Sequence, residues 1–199
     1  MTPNQEYRNL SKFEKYAVIK ENLISFCERK AYAKYLRAIW LNDFKTIEFF
    51  ESFGDYPGKF ILNYRKHIQN LKFGFENIIF DENGWMERPV FLEKEEILIY
   101  IHKNGWKDRN KINIAVGNNG KWTNGVWCQT DTGGYVDGID VWGGIFDTKE
   151  QAIINACHRV IKFHEEQNWS SANKVINAAL EIIEKAKGNR PVQLSLSLF

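Results

Sequence analysis

Three cysteines, four histidines and a set of acidic turn residues are the groups in this 199-residue chain that could do chemistry. Cys128 with His158 or His164 would supply a nucleophile and a base, if the thiol lay within hydrogen-bond reach of the ring. Cys128 on a strand reads more simply as a small core residue. Cys157 and His158 are adjacent on a helical segment and point different ways. Asp137 and Asp140, with Asp131 nearby, would offer oxygen ligands to a hard cation, but acidic residues among glycines are more commonly turn formers. Gly117-Asn118-Asn119-Gly120-Lys121 has neither the spacing of a P-loop nor its Ser/Thr after the lysine. HExxH, GxSxG, an EF-hand loop and a GxGxxG after a strand are all missing. The expectation is no catalytic residue, no metal and no cofactor, with a small enzyme whose site escapes motif reading as the third-ranked function.

Two groups could instead bind nucleic acid. Lys30, Lys34 and Arg37 share one helical face, and Arg65 and Lys66 lie on the next helix; such residues contact phosphates or simply solvate a surface. Trp122, Trp127, Tyr135 and Trp142 suit a stacking platform for single strands or a core. The expectation is core, because a small sheet must bury one face.

The elements that would position these residues follow from periodicity. Residues 1–10 are polar and read as loose. Ser11 and Glu14 form a capping box, followed by Phe13, Tyr16, Ala17, Leu23, Ile24 and Cys27 at helical spacing. A second pattern takes Tyr32, Tyr35, Leu36, Ile39, Trp40, Phe44 and Ile47; a third runs from about Pro57 to Leu71. Residues 91–105 (FLEKEEILIYIHKNG) are ambiguous, and the acidic start and Asn104-Gly105 end predict a helix. Ile112, Ile114 and Val116 alternate as in a strand, Gly117–Gly120 is a hairpin turn, Trp122–Thr130 is the second strand, and a third lies within 135–146. Asp147 or Thr148 caps a helix with inner face Ile153, Ala156, Cys157, Val160 and Ile161, and a last helix with Val175, Ala179 and Ile183 inward stops at Gly188.

The predicted fold is therefore α+β: an N-terminal helical bundle packed with a three-stranded antiparallel sheet followed by two helices, and a flexible C-terminal tail. Its parts are a helical region over 1–80, a β-β-β-α-α region over 81–188 and a tail over 189–199. Hydrophobic residues at 44% and aromatics at 15% can fill a sizeable core. An odd cysteine count with no CxxC argues against a disulfide framework or a zinc ribbon. No apolar stretch approaches a membrane span, while free cysteines and the lack of an export signal in MTPNQEYRNLSKFEKY point to the cytoplasm. The net charge is +2, but residues 1–80 carry 13 Lys/Arg against 9 Asp/Glu, whereas 112–147 carry one lysine and four aspartates. Attraction to phosphate belongs to the N-terminal part.

The tail, QLSLSLF after Arg190-Pro191, resembles the bacterial sliding-clamp-binding peptide in its longer form, Gln-Leu-x-Leu-x-Leu. Gln193, Leu194, Leu196 and Leu198 match it, with Phe199 one place beyond; Ser197 stands where the short form has Phe. The resemblance implies a partner, the sliding clamp, and a setting in bacterial DNA replication or repair, or in a phage or mobile element. On it Gln193 fixes register, Leu196 and Leu198 fill an apolar pocket and Phe199 adds apolar area. The alternating leucines also fit an edge strand folding back on the sheet. The β-β-β-α unit resembles, in architecture, modules of some recombinase arm-binding and plant-type DNA-binding domains. Lys121 as the only basic residue in 112–147 opposes that use. The leading function is a non-enzymatic adaptor docked on the clamp; a nucleic-acid-binding module using the basic helices or the aromatic sheet is the alternative. The sequence sets no oligomeric state.

Overall fold

The computed structural model describes residues 4–21, 25–101, 109–130, 133–167 and 169–188, with only the backbone for 4–6, 101 and 109. The described residues form seven helices and one four-stranded antiparallel sheet, an α+β fold. They divide into two compact units: Met1–Leu71 with Glu76–Arg88, and Lys72–Phe75 with Pro89–Phe199.

The first unit is helical: α1 (Asn4–Asn9), α2 (Lys12–Glu21), α3 (Arg29–Leu41), α4 (Phe44–Glu51) and most of α5 (Pro57–Lys72). The start of the chain is thus a helix where its polarity predicts a loose segment. The capping box opens α2 as expected, with Glu14 N–H donating to Ser11 Oγ at 3.4 Å and Ser11 N–H to Glu14 Oε2 at 2.8 Å. The single helical pattern over 32–47 is broken in two. Asn42 adopts a left-handed conformation (φ 54°), which asparagine tolerates, and the Asp43 carboxylate caps α4 by accepting from Thr46 N–H at 3.1 Å. The core is aromatic: Tyr35 lies between Phe50 and Phe60, at 5.5 and 4.8 Å between ring centres, with Phe53, Ile19 and Ile61 fully enclosed.

The second unit holds β1 (Glu93–Ile101), β2 (Arg109–Val116), β3 (Trp122–Gln129), β4 (Gly134–Asp137), α6 (Lys149–Glu165) and α7 (Ala172–Gly188). The sheet is a meander in chain order. The helix predicted over 91–105 is a strand as far as Ile101; 102–108 lie outside the described residues. Its isoleucines alternate rather than recur at helical spacing: Ile97 pairs with Ile112, and both pack with Ile99 under α6 and α7. Glu93, Lys94, Glu95 and Glu96, which read as a helix start, instead line an edge strand, where charge discourages pairing with other chains.

The 117–120 turn forms as expected, with Gly117 N–H donating to the Lys121 carbonyl and Gly120 in a left-handed conformation (φ 80°). It also grips the segment after α5. The Asn119 and Asn118 amides donate to the carbonyls of Lys72 and Gly74, and Phe73 comes so close that a Cβ on Gly117 would stand 2.5 Å from its carbonyl oxygen. The third predicted strand shortens to β4. Beyond it only Phe146 rejoins the sheet, bridging Trp122, while residues 138–144 loop back over β3. Gly143 lies so close that any Cβ would collide with the Asn124 carbonyl. Thr148 caps α6, accepting from Gln151 N–H at 3.2 Å, and the inward faces of α6 and α7 are those the periodicity predicts.

Candidate functional site

α3 carries Arg29, Lys30, Lys34 and Arg37 and no acidic residue. Lys30, Lys34 and Arg37, spaced four and three residues apart, share its exposed face. α5 brings Arg65 alongside, so that Lys30, Lys34 and Arg65 line a cleft of about 330 Å³ with Cys27 and Tyr64. The Lys34 ammonium donates to Tyr64 Oη at 3.2 Å and lies 5.5 Å from its ring centre. Arg65 approaches Glu28 at 3.9 Å. The Cys27 thiol is exposed, and its pKa falls below the usual value, first through the Ser25 hydroxyl 3.2 Å away and then through the Arg65 charge. Three of the five predicted basic residues therefore meet at one cleft. Arg37 lies further along the α3 ridge. Lys66 turns aside to donate to the Met86 carbonyl at 2.8 Å.

Trp122, Trp127, Tyr135 and Trp142 do not fill the core of the second unit, contrary to expectation. Beneath α6 and α7 that core is aliphatic, with Ile112, Val126, Ala156, Val160, Val175 and Ala179, and a second cluster is built on Phe73, Phe75 and Phe91. Trp127, Tyr135 and Trp142 are exposed, and Trp122 is half-buried beside the Lys149 ammonium. Nor do they gather into one platform. Tyr135 pairs with Cys128, which lies buried beneath α6, whereas the neighbouring pair Trp127–Val136 projects from the opposite face. On that face Trp127 carries the Lys111 ammonium 5.1 Å from its ring centre, and Lys111 also meets Glu96 at 2.5 Å.

The catalytic candidates are held for structure. Burial pushes the thiols of Cys128 and Cys157 up to about 12, so both stay protonated at neutral pH. Burial pulls His164 down to about 4. Its Nδ1 accepts from Trp169 Nε1–H at 3.0 Å, so Nε2 carries the proton and donates to Asn110 Oδ1 at 2.8 Å. The same Asn110 oxygen accepts from Gln129 N–H, which ties α6 to the ends of β2 and β3. Asp137 pairs with Arg159, whose guanidinium also donates to Asn124 Oδ1 at 2.9 Å. Asp131 lies outside the described residues, as do Gln193, Leu194, Leu196, Leu198 and Phe199. Among the described residues no group of three His, Cys, Asp or Glu side chains could hold a metal ion, and no helix is long and apolar enough to cross a membrane.

Sequence reasoning missed two features of the first unit. One is a buried ion pair, Lys15 with Glu51 at 2.7 Å, in which Glu51 also accepts from Tyr35 Oη–H at 2.6 Å. The other is a set of rings at helical spacing that the helices leave outside the core: Phe13, Tyr16 and Trp40 are 70%, 54% and 72% exposed. Trp40 follows buried Ile39 by one residue, about 100° around the helix, a signal present in the spacing.

No family of proteins, no curated protein and no solved structure matches this chain.

Proposed function

We propose that this protein is a non-enzymatic adaptor that docks on a bacterial sliding clamp through residues 193–199. The observation that carries the reading is the peptide Gln193-Leu194-Ser195-Leu196-Ser197-Leu198-Phe199, which follows the end of α7 at Gly188 by a short polar spacer containing Pro191. A peptide of this kind places leucine and phenylalanine anchors in an apolar pocket while one amide side chain sets the register. The ordering entropy of the peptide offsets part of the contact energy, so the expected affinity is about micromolar. The setting this implies is bacterial DNA replication or repair, or a phage or mobile element that uses its host's clamp.

The test is binding of the full chain, and of a chain ending at Val192, to a bacterial clamp by surface plasmon resonance. The full chain binds and the shortened one does not; Gln193→Ala and Leu196→Ala each weaken binding at least tenfold. Equal binding by both chains, or by neither, sinks the reading.

A further inference from the structure

We infer that the outer face of α2 and α3 binds single-stranded nucleic acid, with Trp40, Phe13 and Tyr16 stacking on bases while Lys12, Lys30 and Arg37 meet phosphates. This site is independent of the clamp peptide. Lys12, Phe13, Tyr16, Leu36, Ile39 and Trp40 line a groove of about 340 Å³ between the two helices. Three aromatic side chains more than half exposed within one groove are an unusual expenditure of apolar surface. The Lys12 ammonium sits 5.5 and 5.6 Å from the ring centres of Phe13 and Trp40, so a cation already stands beside the rings on which a base would stack.

The adjoining ridge of α3 supplies the rest. It is basic along its length without a single acid. Among the described residues Lys30 and Arg37 make no hydrogen bond or ion pair, so their charge is uncommitted. Lys30 is about 15 Å from Trp40 along the helix axis and about 80° around it, so a strand that reaches both passes from the groove over the ridge. Three acids of the helical unit are held by hydrogen bonds of their own: Glu14 closes the α2 capping box, Asp43 caps α4, and Glu28 accepts from Ser25 N–H beside Arg65. Flat rings beside uncommitted cations complement a ligand that is both anionic and flat-faced. A duplex hides its base faces in the stack, so the exposed rings select a single strand. A wholly acidic peptide would use the cations but brings no apolar face to the three exposed rings.

The test is fluorescence anisotropy of a labelled 20-residue oligothymidylate with the full chain, in the absence of any clamp, between 50 and 200 mM salt. Affinity falls with salt, with a log–log slope near −2 for three neutralised phosphates. Trp40→Ala and Phe13→Ala each weaken binding about 5- to 100-fold with unchanged far-UV circular dichroism. Lys30→Gln and Arg37→Gln each flatten the slope by about 0.7. Trp127→Ala, on the sheet, leaves binding as it was. The inference is overturned by no binding at 50 mM salt, by equal affinity for a blunt duplex, by ring variants that bind like the native chain, or by poly-L-glutamate competing as well as the oligonucleotide, which would mark the face as a protein-docking surface.

Discussion

The two units bury different kinds of side chain. The helical unit closes around rings and an ion pair: Tyr35, Phe50 and Phe60 with Lys15 and Glu51. Beneath α6 and α7 the sheet unit closes around aliphatic side chains, with Asn110, Asn124 and His164 buried among them, while Phe73, Phe75 and Phe91 form a separate cluster with Ala115 and Val141. The difference follows from geometry. A sheet face with two helices laid across it forms a close layer that aliphatic side chains fill. The short helices leave gaps that rings fill beside Ile19 and Ile61, and tyrosine hydroxyls bring polar partners inside. The lesson concerns the surface as well. The unit that already depends on aromatic side chains also exposes the most concentrated set of them, on the face proposed to stack on bases.

The largest test of that contrast is the ion pair. Removing one partner of a buried pair strands the other, at about 3–5 kcal/mol. Lys15→Met is expected to lower stability by that amount in urea denaturation, while Lys15→Met with Glu51→Leu recovers most of it. The double replacement also removes the carboxylate to which Tyr35 donates, so recovery stays incomplete by about 1 kcal/mol. A loss below 1 kcal/mol in the single variant would mean that the pair is worth no more than a surface one.

The next test belongs to the sheet unit. The folded-state pKa of His164 is depressed to about 4 from an ordinary 6.5. Its contribution is fully present above pH 6.5 and is lost as pH falls toward 4, because over that window the unfolded chain binds a proton the folded one refuses. The slope is about 1.4 kcal/mol per pH unit, roughly 3 kcal/mol over the whole window. Thermal melts between pH 7.5 and 4.5 should show this fall in the native chain and less of it in His164→Gln, whose amide can still meet Asn110 and Trp169. His67, also lowered by burial, adds a fall of the same sign in both proteins, so the difference between them reports His164. Identical pH profiles would show that the imidazole is hydrated.

How far the molecule could be read from its sequence follows the range of the interactions. The capping box at Ser11, the N-cap at Thr148, the Gly117–Gly120 turn and the inward stripes of α6 and α7 depend on residues within a few positions, and each was legible. β1 was not. Its charged start mimics the first turn of a helix, and only its pairing with β2 shows those charges to be edge protection. The common face of Lys30, Lys34 and Arg37 was legible because it depends on helix pitch alone. The approach of Arg65 was not, since tertiary packing places α5. The rings of α2 and α3 show the same limit in sharper form. Periodicity locates a buried stripe but not its margins, and Trp40 falls just beyond the margin at Ile39.

That margin supplies the smallest expected effect. Ile39 is buried in the aromatic cluster, and Ile39→Ala is expected to cost about 2–5 kcal/mol through lost burial and the cavity left behind. Trp40, one residue on and far larger, projects into solvent; Trp40→Ala should change stability by no more than about 0.5 kcal/mol. Lys12 over its ring adds little, because cation–π pairs at exposed sites contribute about 0.5–1 kcal/mol at most. Parallel urea titrations of the two variants measure the step. A loss above 1 kcal/mol for Trp40→Ala would make the ring a packing element and remove it from the proposed stacking face. A loss near zero leaves a tryptophan that contributes almost nothing to folding, and its exposed ring beside uncommitted cations is then accounted for by what it binds.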